Sequence, residues 1–284
     1  GGQSGTTRAR TARPVSLARK RFGQHFLHDR GSIERIVQAI APQVGERLVE
    51  IGPGRGAITA ALLAQAGSLD AIEIDRDLAA RLREQFAATP GFRLHVADAL
   101  KFDFASLATA RGGPLRVVGN LPYNISTPLI FHLLEQRAAI ADLHVMLQKE
   151  VVDRMVAAPG SKDYGRLTVM LAPYTEISRL FEIGPGAFTP PPAVWSSVVR
   201  LTMLSQPAFA TPPAFARLVA AAFSQRRKTL RNGLRGLLDI PDIEACGIDP
   251  GCRAETLAPA AFAQLAARCR AESRPDSALD SAVP

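Results

Sequence analysis

The sequence predicts an α/β fold with a mostly parallel sheet, followed by a small all-helical domain. Two observations lead to this prediction. Short apolar segments with strand character alternate with helical segments through the first two thirds of the chain, and such alternation is typical of parallel strands joined by crossover helices. Beyond a proline-rich stretch at 207–213 the apolar residues follow a helical spacing. We therefore expect a Rossmann-like layered domain with a helical unit behind it.

The individual elements follow from local patterns of apolar residues. Strands are expected at 47–51, 69–74, 92–96, 115–119, 142–147 and 197–202. Helices of the first domain are expected at 31–41, from the glycine-rich turn to Gln65, in the stretch that ends near Phe86, and at 148–157. Helices of the second domain are expected at 214–224, 226–238 and 259–270.

Composition and pattern divide the chain into four segments. A flexible basic segment is expected at 1–17, and a polar, disordered tail is expected at 272–284. The α/β domain is expected to cover 18–205 and the helical domain 206–271.

The overall composition excludes several classes of protein. Of the 284 residues, 47% are hydrophobic and 21% charged, which is ordinary for a globular protein with a core. No apolar run approaches the roughly 20 residues that a membrane helix needs, and the N-terminus shows no signal-peptide pattern. The three cysteines form no C-x-x-C pair, so neither a metal site nor a disulfide framework is expected. These features predict a cytoplasmic protein with no membrane partner.

The net charge of +8 is concentrated in two short segments. Residues 1–30 carry seven basic residues and one acidic residue, and residues 214–236 carry six basic residues and no acidic one. The remainder of the chain is therefore net negative. Such uneven placement indicates a protein that binds a polyanion, and nucleic acid is the favoured partner.

A glycine-rich turn and two carboxylates indicate a nucleotide-like ligand. Gly52 and Gly54 follow the first predicted strand and open a helix, where backbone amides are free to approach a ligand closely. Glu73 ends the second strand, where a carboxylate can accept hydrogen bonds from ribose hydroxyls. Asp98 ends the third strand and could accept from an adenine amino group. At this point a dinucleotide such as NAD fits as well as any other nucleotide.

The segment Asn120-Leu121-Pro122-Tyr123 ends the fourth strand and indicates chemistry on a nucleobase amino group. An adenine amino nitrogen is a poor nucleophile because its lone pair is delocalised into the ring. The Asn120 side-chain oxygen and the Pro122 carbonyl can accept its two N–H groups and make the lone pair available. Tyr123 can stack on the base and stabilise positive charge on the nitrogen. Such stacking requires an unpaired or extruded base.

Seven motifs resemble the KsgA family of ribosomal RNA adenine dimethyltransferases, and the resemblance covers the chain from about Ala18 to Arg270. They are RKRFGQHFL at 19–27, VEIGPG at 49–54, GNLPYNIST at 119–127, LQKEV at 147–151, YGRL at 164–167, AFTPPP at 187–192 and FSQRRKTLRN at 223–232. Two positions depart from the family pattern. His25 stands where the family usually has Asn, and Trp195 stands where it often has Asp.

The resemblance implies a Rossmann-like class I S-adenosylmethionine-dependent methyltransferase domain with S-adenosylmethionine as methyl donor. It implies a catalytic set of Asn120, Pro122, Tyr123 and Phe188, the last as a second aromatic closing on the base. Donor contacts are implied at His25, Leu27, Gly52, Glu73, Asp98 and Asn120. The implied substrate is a pair of adjacent adenosines in a hairpin loop near the 3′ end of 16S rRNA, in the small ribosomal subunit or its precursor. Each adenosine receives two methyl groups during ribosome biogenesis, and a monomer with no DNA partner is expected.

The second basic segment is predicted to be the RNA contact. Arg227, Arg231 and Arg235 recur every four residues, and Leu230, Leu234 and Leu237 line a neighbouring face. A helix of this kind could bury its apolar side and lay a basic stripe on phosphates, without reading sequence. The predicted RNA-binding residues are Arg226, Arg227, Lys228, Arg231 and Arg235.

Four other interpretations remain open at this point. Macrolide-resistance methyltransferases, which modify one adenine of large-subunit RNA, share the glycine turn and an Asn-x-Pro-Tyr segment. DNA adenine methylation is a weaker alternative, because nothing in the sequence resembles a target-recognition insert. An RNA-binding assembly factor for the small subunit, with secondary catalysis, would use the same basic segments. A Rossmann dehydrogenase is the fourth alternative, for which we find no hydride-acceptor site.

Overall fold

The structure is a computed structural model that describes residues 24–270. The predicted N-terminal segment 1–17, the first residues of the RKRFGQHFL motif and the predicted tail 272–284 lie outside the described residues. No helix within 24–270 is long and apolar enough to cross a membrane.

Nine strands are present in the described residues. They are β1 (Phe26–Leu27), β2 (Leu48–Ile51), β3 (Leu69–Glu73), β4 (Phe92–Val96), β5 (Leu115–Asn120), β6 (Ile140–Gln148), β7 (Thr175–Ile183), β8 (Phe188–Thr189) and β9 (Ser196–Met203).

Eleven α-helices accompany them in the same part of the chain. They are α1 (Arg30–Ile40), α2 (Thr59–Ala66), α3 (Arg76–Gln85), α4 (Phe104–Arg111), α5 (Ser126–Glu135), α6 (Lys149–Met155), α7 (Arg166–Leu171), α8 (Phe215–Ala222), α9 (Leu230–Gly233), α10 (Ile240–Ala245) and α11 (Pro259–Ala267).

Seven of the strands form one sheet in the order β4-β3-β2-β5-β6-β9-β7. Strands β2 to β6 pair with one another in parallel, and β9 pairs antiparallel with both β6 and β7. The strand order reverses between β2 and β5, and ligands of open α/β sheets bind outside the carboxyl ends of the strands at such a point. The prediction of a Rossmann-like α/β domain is confirmed.

Apolar layers cover both faces of this sheet. On one face, side chains of β2, β5 and β6 such as Val49, Val117 and Leu143 pack with α4, α5 and α6. On the other face, Leu48, Val118 and Met146 pack with α1, α2 and α3. Both layers exclude water from the strands, which explains why the parallel strands read as continuous apolar runs.

The sequence patterns missed strand β7. The pairing of β7 with β9 shifts register between Arg179 and Phe181, so one extra residue interrupts the alternation of inward and outward side chains. Since alternation is the signal by which a half-buried edge strand is recognised, a bulge removes that signal.

The C-terminal helices build a third apolar cluster. Phe215, Leu234 and Phe262 are among its buried members. The cluster also contains Tyr164 and Val169, which precede the predicted domain boundary at 205/206. The Tyr164 hydroxyl donates a hydrogen bond to the Leu257 carbonyl at 2.6 Å. The boundary itself stays a prediction.

The predicted helix at 226–238 is wrong, because only Leu230–Gly233 is helical there. The backbone N–H groups of Leu230 and Arg231 donate to the carbonyls of Cys252 and Pro250, at 2.7 and 3.0 Å, instead of continuing a helix from residue 226. At the other end Gly236 has φ of 89°, which ends helical geometry. The arginines therefore do not form a stripe along one helix.

Candidate active site

The glycine-rich turn after β2 approaches the N-terminal strand β1 closely. Gly52 and Gly54 have φ of 65° and 59°, in the left-handed region that favours glycine. A Cβ on Gly54 would lie 3.1 Å from the Phe26 ring. The turn thus leaves its backbone bare beside a cleft that opens at the carboxyl ends of the strands.

This cleft brings together most of the predicted site residues. It holds about 1400 Å³ of empty space, counting the part open to solvent. The predicted residues that line it are His25, Leu27, Gly52, Glu73, Asp98, Asn120, Pro122 and Tyr123.

Glu73 is the buried carboxylate of the cleft, with 2% of its surface exposed. One of its oxygens accepts from the Gly54 N–H at 3.1 Å, and the other accepts from the Asp75 N–H at 3.1 Å. Burial raises the pKa of Glu73, while these two hydrogen bonds act in the opposite direction. Each carboxylate oxygen keeps a second lone pair for a ligand donor such as a hydroxyl.

Asp98 lies at the end of β4 and lines the same cleft. One side-chain oxygen accepts from the Leu100 N–H at 3.0 Å and so caps the short 3₁₀ turn Ala99–Lys101. Capping uses that oxygen and fixes the carboxylate in place. Its second oxygen is an additional acceptor at the edge of the cleft.

Asn120 ends β5, and its side-chain amide has a fixed orientation. Its Nδ2 donates to the backbone carbonyl of His25 at 3.0 Å. A carbonyl can pair only with the NH₂ end of an amide, so this contact determines which end of Asn120 carries the oxygen. Oδ1 is then the atom available as an acceptor for an amino group.

Tyr123 is held from two sides. Its hydroxyl is hydrogen-bonded to the Ser196 hydroxyl at 2.8 Å, and its ring lies 5.2 Å from the His25 ring, centroid to centroid. Burial raises the pKa of Tyr123, which keeps the phenol neutral. The neighbouring Pro122 carbonyl accepts from the Ile125 N–H at 3.3 Å and retains a second lone pair.

Phe188, the second aromatic that the resemblance implies, lies in β8. Its side chain is 2% exposed, belongs to the apolar layer that also contains Leu27, and is absent from the cleft wall. In β8 it pairs with Leu27 of β1. In this structure Phe188 thus belongs to the apolar layer, and its implied role as a second aromatic closing on the base stays a prediction.

The predicted RNA-binding residues lie elsewhere, on the loop and short helix around α9. All five side chains are exposed, and none lines the cleft. Arg235 donates to the Asn232 side chain at 3.2 Å. The basic character of this surface remains, although it is formed by a loop and one helical turn.

The sequence patterns did not predict a role for three residues in or beside the site, namely Glu50, Thr59 and Ser196. Glu50 is fully buried in β2 and accepts from the hydroxyl of Thr59, the first residue of α2. Burial raises the pKa of Glu50 to about 7. Ser196 holds Tyr123, as described above. Glu50 could have been recognised from the sequence, because a lone carboxylate within an apolar strand needs a partner. Nothing in the local sequence indicates a role for Ser196.

The chain matches the family described as ribosomal RNA adenine dimethylase over residues 15–270. It belongs to this family. A relative of the dimethylase family from Pseudomonas aeruginosa, named ribosomal RNA small subunit methyltransferase A, is 56% identical over 251 residues, covering 88% of this chain and 93% of the relative. A protein of the same name from Nitrosococcus oceani is 57% identical over 243 residues, covering 84% and 91%.

Two solved structures are similar to this member of the dimethylase family. A dimethyladenosine transferase from Plasmodium falciparum has a TM-score of 0.72 at 24% identity, covering 85% of this chain and 96% of the other. The 23S rRNA methyltransferase ErmE has a TM-score of 0.64 at 26% identity, covering 86% and 98%. The class I methyltransferase fold is thereby shown, and family membership makes the chain an rRNA adenine dimethyltransferase with S-adenosylmethionine implied as the donor.

Proposed function

We propose that this enzyme transfers methyl groups from S-adenosylmethionine to the amino nitrogens of two adjacent adenosines near the 3′ end of 16S rRNA. The names of the Pseudomonas and Nitrosococcus relatives support the small subunit as substrate, at 56% and 57% identity. The observation that carries the chemistry is the fixed amide of Asn120 beside Tyr123 in one cleft. We further propose that the enzyme acts as a monomer in the cytoplasm.

The residues of the cleft fit a nucleoside donor. The bare backbone of Gly52 and the second lone pairs of Glu73 suit a ribose, and Asp98 adds an acceptor at the next strand end. We assign donor contacts to these residues together with His25, Leu27 and Asn120. When bound, S-adenosylmethionine supplies an electrophilic methyl group on a positively charged sulfur.

The acceptor side of the cleft prepares the target nitrogen. Asn120 Oδ1 and the Pro122 carbonyl accept the two amino protons, so the nitrogen lone pair turns away from the ring and becomes available. The neutral Tyr123 ring stacks on the base and stabilises the positive charge that grows on the nitrogen. No strong general base is needed, since the methylated nitrogen is acidic and loses its proton readily. Alignment and exclusion of water supply the rate enhancement.

The exposed basic residues around α9 are proposed to hold the RNA through its phosphates. Their exposure and the absence of acidic residues in 214–236 support a contact that gives affinity but no sequence information. The proposed set is Arg226, Arg227, Lys228, Arg231 and Arg235.

Transfer of labelled methyl from S-adenosylmethionine to ribosomal subunits tests the proposal. Small subunits that lack adenine methylation are the substrate, and fully methylated small subunits and large subunits are the controls. We expect label on adenines of the unmethylated small subunit alone. Label on the large subunit would instead support a resistance-type enzyme, which the likeness to ErmE represents. Binding to the small subunit without any label would support an assembly factor and overturn the enzymatic proposal.

A further inference from the structure

We propose that Trp195 is a stacking platform for an unpaired base of the RNA substrate, next to the target adenosine. This inference rests on the proposed function. The sequence contains a single tryptophan, and 52% of its surface is exposed in the structure. Its neighbour Val194 is also exposed, so the two residues present a small apolar surface to solvent. Aromatic rings that project into solvent beside a nucleic-acid path are the usual platforms for single-stranded bases.

Trp195 lies near the acceptor side of the cleft, next to the residue that contacts Tyr123. Strand β9 runs antiparallel to β6, and Ser196 pairs with Gln148 at the last residue of β6. Trp195 therefore lies at the same edge of the sheet as the carboxyl ends of the parallel strands. The next residue, Ser196, is hydrogen-bonded to the Tyr123 hydroxyl at 2.8 Å. Because consecutive Cα atoms are about 3.8 Å apart, the backbone of Trp195 lies directly beside the residue that holds Tyr123, and the exposed indole is within reach of the nucleotides that flank a target base at Tyr123.

The indole is fixed before any ligand arrives. The Trp195 carbonyl accepts from the Lys149 N–H at 2.9 Å. The benzo end of the ring packs on Gly184, where the position of a Cβ would lie 3.4 Å from the Cη2 atom. A residue without a side chain thus supports one part of the ring, and the remainder faces solvent. A rigid aromatic group of this kind loses little conformational entropy when a base stacks on it.

The charges around Trp195 do not oppose an RNA strand. Asp153 is paired with Lys149 at 3.1 Å and also with Arg179. Arg179 contacts Glu182 as well, at 3.5 Å. Glu150, which follows Lys149, is paired with Arg154 at 3.8 Å. The carboxylates of Asp153, Glu182 and Glu150 thus each have a basic partner, so this part of the chain does not present unpaired negative charge to phosphates.

Steady-state kinetics with unmethylated small subunits tests the platform. Trp195→Ala is expected to raise the KM for the subunit roughly 5- to 100-fold, the range for losing one base–aromatic stack, with kcat and donor affinity unchanged. Trp195→Phe should restore most of the affinity because it keeps a ring. Val44→Ala is the matched control, since Val44 is 83% exposed and precedes β2 at the opposite edge of the sheet.

A second readout uses the single tryptophan directly. Replacing it with 7-azatryptophan gives an emission that separates from the tryptophans of ribosomal proteins, and stacking should quench that emission when subunits are added. An unchanged KM in Trp195→Ala, or a fall in kcat alone, would overturn the platform while leaving the proposed function intact. Unchanged emission during productive methylation would overturn it too. If the wild-type enzyme labelled no subunit, both proposals would fail.

Discussion

The side-chain amide of Asn120 donates to the backbone carbonyl of His25 across a distance of 3.0 Å. The partner is a main-chain atom, so the identity of residue 25 does not enter the contact. This explains how the chain can carry His where its family usually has Asn. The Asn120 amide, to which we assign the acceptor role, is thus oriented by the N-terminal segment and not by a neighbour on its own strand.

Substitution of Asn120 should separate catalysis from donor binding. Asn120→Asp keeps the shape and the acceptor oxygens, but it cannot donate to His25 and places a negative charge against a carbonyl. We expect kcat to fall about 100-fold or more, as when a positioned polar group is removed from other active sites, with a smaller change in donor affinity. Single-turnover methyl transfer and calorimetry measure the two effects. A kcat within threefold of wild type would refute the assigned role.

Glu73→Gln should act on the donor instead. The amide NH₂ of Gln would face the Gly54 or Asp75 N–H, so one of the two present hydrogen bonds is lost and a ribose acceptor disappears with it. We expect donor affinity to fall roughly 10- to 100-fold, corresponding to one or two hydrogen bonds to a charged group. Calorimetric titration checks this. Glu34→Gln, on the exposed side of α1, serves as the control; equal affinities for both variants would argue against the contact.

Glu50 gives a pH dependence of stability with a defined sign. Its pKa rises from 4.5 to about 7 on folding because the carboxyl is buried, so the folded state binds its proton more tightly than the unfolded state. The stabilisation is complete below pH 4.5 and is lost as the pH rises through 7. Glu50→Gln keeps an acceptor for Thr59 and does not ionise. Urea unfolding should show that, between pH 4.5 and pH 7, the free energy of unfolding of Glu50→Gln rises relative to that of wild type by on the order of 3 kcal/mol. A constant difference would contradict the assignment.

Gly119→Ala should disturb the close contact between the adjacent strands β2 and β5. A Cβ at this position would lie 2.4 Å from the Ile51 carbonyl oxygen, which no ordinary contact permits. The strands must separate next to both the glycine turn and Asn120. We expect a loss of stability of about 2 kcal/mol or more, accompanied by weaker donor binding. Thermal unfolding and calorimetry measure both, and Gly186→Ala, where no atom lies within 4 Å of the added Cβ, is the matched control.

Charge reversal at Arg227 and Arg231 should weaken binding to small subunits and flatten its salt dependence. Each lost phosphate contact reduces the slope of log K against log salt concentration by roughly 0.7 to 0.9. For the double variant, the magnitude of this slope should therefore be smaller than that of wild type by about 1.5. The control reverses Arg81 and Arg83, two exposed arginines of α3. If both double variants behaved alike, the loss would reflect net charge rather than a contact at α9.

The sequence predicted the parallel strands to within two residues because most of their residues are buried and the strands are short apolar segments bounded by turns. The convergence of Glu73, Asp98 and Asn120 was also predictable, since they follow strands whose carboxyl ends share one edge. Local patterns failed where distant groups decide the outcome. The carbonyls of Pro250 and Cys252 take the N–H groups that a helix at 226–238 would have used.

The position of Phe188 and the partner of Tyr123 illustrate the same limit within the site. An aromatic residue in a motif is equally compatible with a base contact and with a position in the core, and the burial of Phe188 beside Leu27 could not be predicted from the motif alone. The sequence around Ser196 does not indicate its role, because its hydrogen-bond partner Tyr123 lies 73 residues away along the chain.

The pairing of β1 with β8 joins two segments that lie far apart in the sequence and are therefore synthesised at different times. The His25 ring donates to the Pro190 carbonyl at 2.7 Å, across 165 residues of sequence. A nascent chain that has emerged only as far as β6 already contains the glycine turn and Asn120, yet it still lacks β8 and the Pro190 carbonyl that pair with the segment carrying His25. The contacts that complete the position of this segment therefore form late in translation, after the last third of the protein has begun to leave the ribosome that makes it.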